Sequence, residues 1–200
     1  MRSSKIQWIL LAACLLLSPV VASAETPDGD RFWTTVGSAG TLDEKSEGKV
    51  FFNRAVVQKG DRILISQARQ PRADGSVEET DSAVIRYNVT AVDGLFGGSF
   101  IGMQIRFLDE GVSARVVAEL IEVDLFTGAE VTLLTFDSDA VPSASGYQVG
   151  EVSECLKRTD PFDFVHKAYY IEATLTTSAL VTPSAAGIEV IQVQATPCFN

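Results

Sequence analysis

The feature that most constrains this fold is an alternation of apolar and polar residues that is broken repeatedly by glycine and aspartate. In one segment Ile85, Tyr87 and Val89 alternate with Arg86 and Asn88. Successive side chains of a β-strand point to opposite faces, so the pattern predicts strands with one buried and one wet face. Antiparallel sheets commonly have such faces. The chain is therefore expected to be all-β.

The alternation recurs in about ten segments. The predicted strands cover 31–36, 50–58, 62–67, 84–92, 100–108, 114–125, 130–136, 147–153, 168–176 and 188–195. Many short strands separated by turn residues are typical of sandwiches and barrels. We predict an antiparallel β-sandwich with jelly-roll-like connections. A membrane barrel is disfavoured, because Trp33 is the only tryptophan after the first 24 residues and cannot form an aromatic girdle.

One segment fits two kinds of structure. Residues 113–128 place Val117, Leu120 and Leu125 on one face of a helix. The same segment is rich in β-branched residues, which lose side-chain freedom in helices and favour strands. We interpret 114–125 as a strand.

The first 24 residues predict a secretory signal peptide. Arg2 and Lys5 form a basic start, residues 6–17 form an apolar run, and a small-residue cleavage site ends at Ala24. The run is too short for a lasting membrane span. Cys14 also fits a bacterial lipoprotein-processing pattern, but the apolar stretch that continues behind it disfavours that alternative. The protein is thus expected to be secreted or periplasmic.

Residues 25–200 are expected to form one domain of ordinary length. Loss of Arg2 and Lys5 with the signal peptide changes the net charge of the chain from −10 to −12. Such a charge repels phosphate backbones, so no nucleic-acid partner is expected. No later apolar stretch reaches the roughly 18 residues that indicate a membrane helix, so no transmembrane span is expected either.

Two cysteines, Cys155 and Cys198, follow the signal peptide. An even pair in an exported protein indicates a disulfide. The two residues lie 43 positions apart, and on the chain-entropy model a loop of that size contributes about 4 kcal/mol. Two free thiols are the alternative.

The segment EVDLFTGAE, residues 122–130, raises the question of catalysis. Retaining β-glucanases of the jelly-roll type carry E-x-D-x-E or E-x-D-x-x-E, with nucleophile and acid/base facing one cleft. Glu122 and Asp124 fit the first two positions, but Phe126 and Thr127 occupy the places of the second glutamate. We therefore predict a solvent-facing pair on an ordinary hairpin, and no catalytic residue.

His166 is the only histidine of the chain. A Ser-His-Asp triad would need it, but no G-x-S-x-G motif accompanies it. The same segment carries Phe162, Phe164, Tyr169 and Tyr170, and period-two alternation places Tyr170 alone on the outer face. His166 and Tyr170 are the candidate ligand-binding residues, although an exposed histidine and an outward ring are the simpler interpretation.

Calcium is the cofactor that the acidic composition suggests. It takes six to eight oxygen ligands, often from loop carboxylates. Asp137 and Asp139 form such a pair without a defined calcium-loop motif, and an acidic chain contains such pairs by composition alone. We expect no cofactor, with a structural calcium ion at these residues as the alternative.

Four strings together resemble a known group of proteins. They are TTVGSAGTLDE at 34–44, VIRYNVTAVDGLF at 84–96, ARVVAELIEVDLFTGAEVTLLTFDSD at 114–139 and FDFVHKAYYIEATLT at 162–176. They are similar to a recurrent family of secreted bacterial proteins that are all-β and have no assigned activity. The resemblance implies export, a bacterial source, a β-sandwich and a strand over 114–125. It implies no catalytic residue.

The sequence therefore predicts a non-catalytic exported module that binds a carbohydrate, a surface polymer or a protein. The basis is a single histidine, no nucleophile motif and no metal cluster. Two alternatives stay open. One is a glycan-active enzyme with a carboxylate pair, and the other is a structural component of an envelope or matrix assembly.

Overall fold

The computed structural model describes residues 31–60, 81–91, 95, 99–110, 114–142, 144–156, 162–177 and 185–196. The strands are β1 (Arg31–Val36), β2 (Thr41–Leu42), β3 (Phe51–Asn53), β4 (Val56–Gly60), β5 (Asp81–Val89), β6 (Phe100–Glu110), β7 (Arg115–Asp124), β8 (Glu130–Asp137), β9 (Tyr147–Cys155), β10 (Lys167–Thr177) and β11 (Ala185–Thr196). Helical structure within these residues is limited to single 3-10 turns at Gly37–Ala39, Glu44–Ser46 and Ser138–Ala140.

The strands form two antiparallel sheets. The front sheet has the order β3-β4-β11-β6-β9, with β1 also paired to β11, and the back sheet has the order β2-β5-β10-β7-β8. Without the short strands β2 and β3 and the edge strand β1, the remaining eight strands lie in the orders 4-11-6-9 and 5-10-7-8. Among them, every connection except the β7–β8 hairpin crosses between the sheets. This is the jelly-roll arrangement of two interleaved Greek keys, and it confirms the predicted fold class.

The inner faces of both sheets enclose one hydrophobic core. On β6 the alternate residues Ile101, Met103, Ile105 and Phe107 are fully buried, as period-two patterning predicts. The Phe107 ring meets the edge of Phe136 from the other sheet, with the ring centroids 5.1 Å apart. Removal of this apolar surface from water is the main term that favours folding.

Among the described residues there is no helix long and apolar enough to cross a bilayer.

The region around β3 and β4 differs from the prediction. The expected strand 50–58 is a hairpin that turns at Arg54, whose φ is +56°. The predicted end of this strand at residue 58 is wrong, because pairing with β11 keeps the chain extended through Gly60. The predicted strand 62–67 and the predicted cleavage site at residue 24 lie outside the described residues.

The strand β11 has two partners along one of its edges. Its first part, 185–188, pairs with β4, and its second part, 190–195, pairs with β1. A register irregularity between Ile188 and Val190 separates the two parts in the pairing with β6. The second part therefore lies in a four-strand segment with the order β1-β11-β6-β9, which carries the site described below.

Candidate functional site

The segment 122–130 is a hairpin, as predicted. Strand β7 ends at Asp124, Gly128 adopts a φ of +70°, and β8 begins at Glu130. Asp124 Oδ1 accepts hydrogen bonds from the backbone N–H groups of Phe126 and Thr127, at 3.0 and 2.9 Å. The predicted strand over 114–125, rather than a helix, is thus confirmed, since β7 spans Arg115–Asp124.

The predicted solvent-facing position of Glu122 is wrong. The residue is only 6% exposed. Glu122 lies opposite Tyr169 on the inward-facing row of β7 and β10, and Lys167 Nζ lies 3.8 Å from its Oε1 atom. The same ammonium lies 2.6 Å from Asp124 Oδ2. The two carboxylates therefore share a lysine at the end of the core, which is the charge neutralisation that burial of an acid requires.

The lysine contact makes Asp124 a source of pH-dependent stability. Hydrogen bonds from Lys167 first, and then from Thr127 and Phe126, hold the pKa of Asp124 well below its usual range. A carboxyl with a lowered folded-state pKa contributes stability above its unfolded pKa of about 3.9, and this contribution is lost as the pH falls through the folded pKa.

We therefore expect Asp124→Asn to lower the melting temperature at pH 7. The gap to the wild type should shrink below about pH 4 as the wild-type carboxyl is protonated. Thermal unfolding followed by circular dichroism between pH 7 and 2 measures this gap. Glu154→Gln removes an exposed carboxylate and controls for net charge. A gap that stays constant down to pH 2 would contradict the assignment.

The two candidate ligand-binding residues lie on elements of the back sheet. His166 precedes β10, and its Nδ1 atom lies 2.8 Å from Asp163 Oδ2. The Tyr170 hydroxyl donates to Glu130 Oε1 at 3.2 Å. Phe162, Phe164 and Tyr169 form a ring cluster with centroids 4.9 to 5.8 Å apart. The outward position predicted for Tyr170 agrees with this arrangement, and ligand binding by either candidate stays a prediction.

The carboxylates of the predicted calcium pair contact an arginine. Arg115 Nε donates to Asp137 Oδ1 at 2.9 Å and lies 3.2 Å from Asp139 Oδ2. The hydrogen bond from Arg115 is the main cause that lowers the pKa of Asp137. No group of three or more potential metal-ligating side chains occurs in the described part of the chain. Calcium binding at Asp137 and Asp139 stays a prediction.

The outer face of the front sheet carries a site that the sequence did not point to. A shallow groove of about 190 Å³ is lined by Phe32, Gln104, Glu151, Gln192 and Gln194. We call it the glutamine groove. Three amide side chains, one carboxylate and one aromatic ring thus face the same volume. Phe32 is 40% exposed, so a large part of the residue is available for contact.

Strand register explains how these side chains come together. Thr34 lies opposite Gln192, Gln192 opposite Gln104, and Gln104 opposite Glu151. Opposite residues of antiparallel strands project on the same face. Strands lie about 4.8 Å apart, so this polar row crosses four strands over about 14 Å. Phe32 and Gln194 are opposite each other in the adjacent row.

Most polar side chains of the groove have no hydrogen-bond partner among the described residues. Gln192 Nε2 donates to Thr34 Oγ1 at 3.3 Å. Within the described residues, the side chains of Gln104, Gln194 and Glu151 make no hydrogen bond or ion pair with the protein. An amide offers two donors and two acceptor sites, and a carboxylate offers acceptors alone. The groove therefore presents both kinds of hydrogen-bonding group to a ligand.

Gly102 makes room for one of these amides. A Cβ atom at position 102 would lie 2.6 Å from Gln194 Nε2, so the Gln194 side chain lies flat over the backbone of β6.

Next to the groove on β6, Arg106 is ion-paired with Glu189 and lies over the Tyr147 ring, 5.6 Å from its centroid. The arginine charge is thus matched by a neighbouring carboxylate, whereas no cation of the described part of the chain pairs with Glu151.

Comparison with known sequences identifies no relative. No protein-family model matches the chain, and no curated protein matches it.

Solved structures show a limited similarity to this chain at low identity. A Glycosylation Associate Protein (Gap123) complex from Streptococcus agalactiae is 11% identical, with a TM-score of 0.44, and the match covers 84% of this chain and 26% of that chain. The xylan-binding module CBM15 is 8% identical, with a TM-score of 0.44 and coverage of 84% and 99%. A cyclase from Fischerella sp. TAU is 10% identical, with a TM-score of 0.41 and coverage of 89% and 80%. At these values no ligand or activity is carried over to this chain.

Proposed function

We propose that this protein is a non-catalytic binding module for a linear polysaccharide without acidic groups, held in the glutamine groove. The observation that carries the proposal is the row from Thr34 to Glu151, which lies beside an exposed aromatic ring. In this row the Gln104 amide and the Glu151 carboxylate have no partner among the described residues. A sugar ring presents hydroxyl groups at its edge and an apolar face. Amides can pair with the hydroxyl groups, and Phe32 can stack on the apolar face.

The shape of the groove favours a polymer over a single sugar. No further described strand pairs with β1 or β9, so the row runs from one edge of this part of the sheet to the other. A bound chain can therefore extend past both edges. The spacing between strands, about 4.8 Å, is close to the length that one sugar adds to an extended polysaccharide. Each strand of the row can therefore contact one sugar of the bound chain.

The chemistry of the groove supports binding without turnover. Glycoside hydrolysis ordinarily requires two carboxyl groups on opposite sides of the scissile bond. The groove lining contains one, Glu151. The other carboxylate pair considered, Glu122 and Asp124, is held by Lys167 at the end of the core.

The binding proposal is tested by native affinity electrophoresis in gels that contain hydroxyethylcellulose, xylan, galactan or glycol chitin. Retardation by at least one of these polymers, without release of reducing ends from it, supports the proposal. Pectate, which is acidic, is the matched control and should cause no retardation because the chain is itself acidic. Equal mobility in every gel, or release of reducing ends by the purified protein, would contradict it.

We further propose export through the signal peptide of residues 1–24, followed by a disulfide between Cys155 and Cys198. Cys155 ends β9 opposite Phe100, and Phe100 also lies opposite Thr196, the last residue of β11. Cys198 follows two residues later and lies outside the described residues.

The mature protein is therefore expected to begin at Glu25, without lipid, and to be lighter than its reduced form by two hydrogen atoms. Intact mass spectrometry before and after reduction under denaturing conditions measures both features. A lipid-modified Cys14, or two thiols that react without reduction, would contradict this proposal.

A further inference from the structure

We propose that the polysaccharide carries free amino groups, and that a protonated amine of the bound chain pairs with the carboxylate of Glu151. This inference rests on the proposed function and specifies the chemical class of its ligand. It separates amino-sugar polymers from neutral polymers, which would satisfy the amide groups of the groove equally well.

The charge distribution around the groove supports this assignment. Among the lining residues Glu151 alone is ionisable. Arg106, the cation next along β6, is engaged by Glu189 and lies over the ring of Tyr147. Within the described residues no cation pairs with Glu151, so the groove carries one unpaired negative charge in a chain with a net charge of −10. A uronate would be repelled by this charge, whereas an ammonium group would be attracted.

The position of Glu151 determines which part of the ligand it contacts. It lies at the β9 end of the row, opposite Gln104, and the Phe32 ring lies on β1 at the other end of the groove. A sugar stacked on Phe32 is therefore separated from the sugar over Glu151 by about 14 Å, the width of four strands. One amine, two or three sugars away from the stacked ring, is sufficient for the ion pair.

The experiment compares two hexasaccharides by isothermal titration calorimetry at about pH 5.5, where an aliphatic amine is protonated. One is the hexamer of glucosamine, and the other is the same hexamer with every amine acetylated. Exposed ion pairs contribute modestly, so the wild type should bind the free-amine hexamer about threefold to fivefold more tightly. Glu151→Gln should abolish this preference, so that the variant binds the two hexamers with equal affinity.

The control distinguishes the ion pair from general attraction to an acidic surface. Glu154→Gln removes a charge three positions along β9 and should leave the preference intact. Addition of salt should reduce it in the wild type. A preference that persists in Glu151→Gln, or that is absent in the wild type, overturns the inference. In the second case, binding of neutral polymers in the gel assay would leave the proposed function standing.

Discussion

Replacement of Gly37 by alanine is expected to lower the free energy of unfolding by about 3 kcal/mol or more. The Cα atom of Gly37 packs against the backbone carbonyl of Ile188, and a Cβ atom there would overlap that carbonyl and meet the amide nitrogen of Val57. Backbone atoms cannot rotate away as a long side chain can. The methyl group would therefore force β11 and β4 away from the 3-10 turn.

The same residue holds a buried tyrosine. The Tyr87 hydroxyl donates to the Gly37 carbonyl at 2.8 Å, and burial raises the pKa of Tyr87 well above its usual range, which keeps the donor protonated. A shift of Gly37 would break this bond and leave a buried polar group without a partner. Tyr87→Phe isolates the contribution of the bond, which should be about 1 kcal/mol.

Urea denaturation of Gly37→Ala, Tyr87→Phe and Gly128→Ala tests whether Gly37→Ala is the most destabilising of the three. Gly128→Ala is the matched control, since its Cβ atom meets nothing within 4 Å and its φ of +70° gives it only the left-handed penalty of about 1 to 2 kcal/mol. If Gly37→Ala does not fold at all, the prediction is met. A loss smaller than that of Gly128→Ala would show that the close approach of Gly37 to β11 is wrong.

The second large effect is expected in the glutamine groove. Gln104→Ala combined with Gln192→Ala should weaken binding of the retained polysaccharide by about thirtyfold. The two amides lie opposite each other at the centre of the row, and each hydrogen bond lost contributes about 1 kcal/mol. The unfolding free energy should change little, because both side chains lie on the outer face of the sheet.

The matched control makes the same kind of change on the back sheet. Asn88→Ala with Thr174→Ala shortens two polar side chains on the outer faces of β5 and β10. Its electrophoretic retardation by the polysaccharide should equal that of the wild type. Equal losses in the two double variants would indicate that the glutamine groove is not the binding surface.

The local pattern was sufficient for most strands. The alternation of Ile101, Met103, Ile105 and Phe107 identified β6 and its buried face. For β7, the density of β-branched residues correctly favoured a strand over a helix. Both signals are properties of consecutive residues, and the sequence displays them directly.

Features that depend on pairing between distant strands were missed. Glu122 lies on the same face of β7 as the buried residues of that strand. Only its position opposite Tyr169 and near Lys167 explains why a charge is tolerated there. The extended path through Gly60 likewise requires β11 as a partner.

The glutamine groove was missed for the same reason. Gln192 and Gln194 at alternate positions of one strand, with Gln104 on another, were a signal in the sequence. Their meaning depended on the order β1-β11-β6-β9, which brings together segments far apart in the chain. Local patterning does not contain that order.

We propose polysaccharide binding by the outer face of the front sheet. Its most direct test is a nuclear magnetic resonance titration of the isotope-labelled protein with hexasaccharides of cellulose, xylan and chitin. We expect at least one of them to shift the resonances of the side-chain amides of Gln104, Gln192 and Gln194 and of the backbone amide of Phe32. Shifts confined to the back sheet or to the turn at Phe126, or no shifts with any of the three, would contradict it.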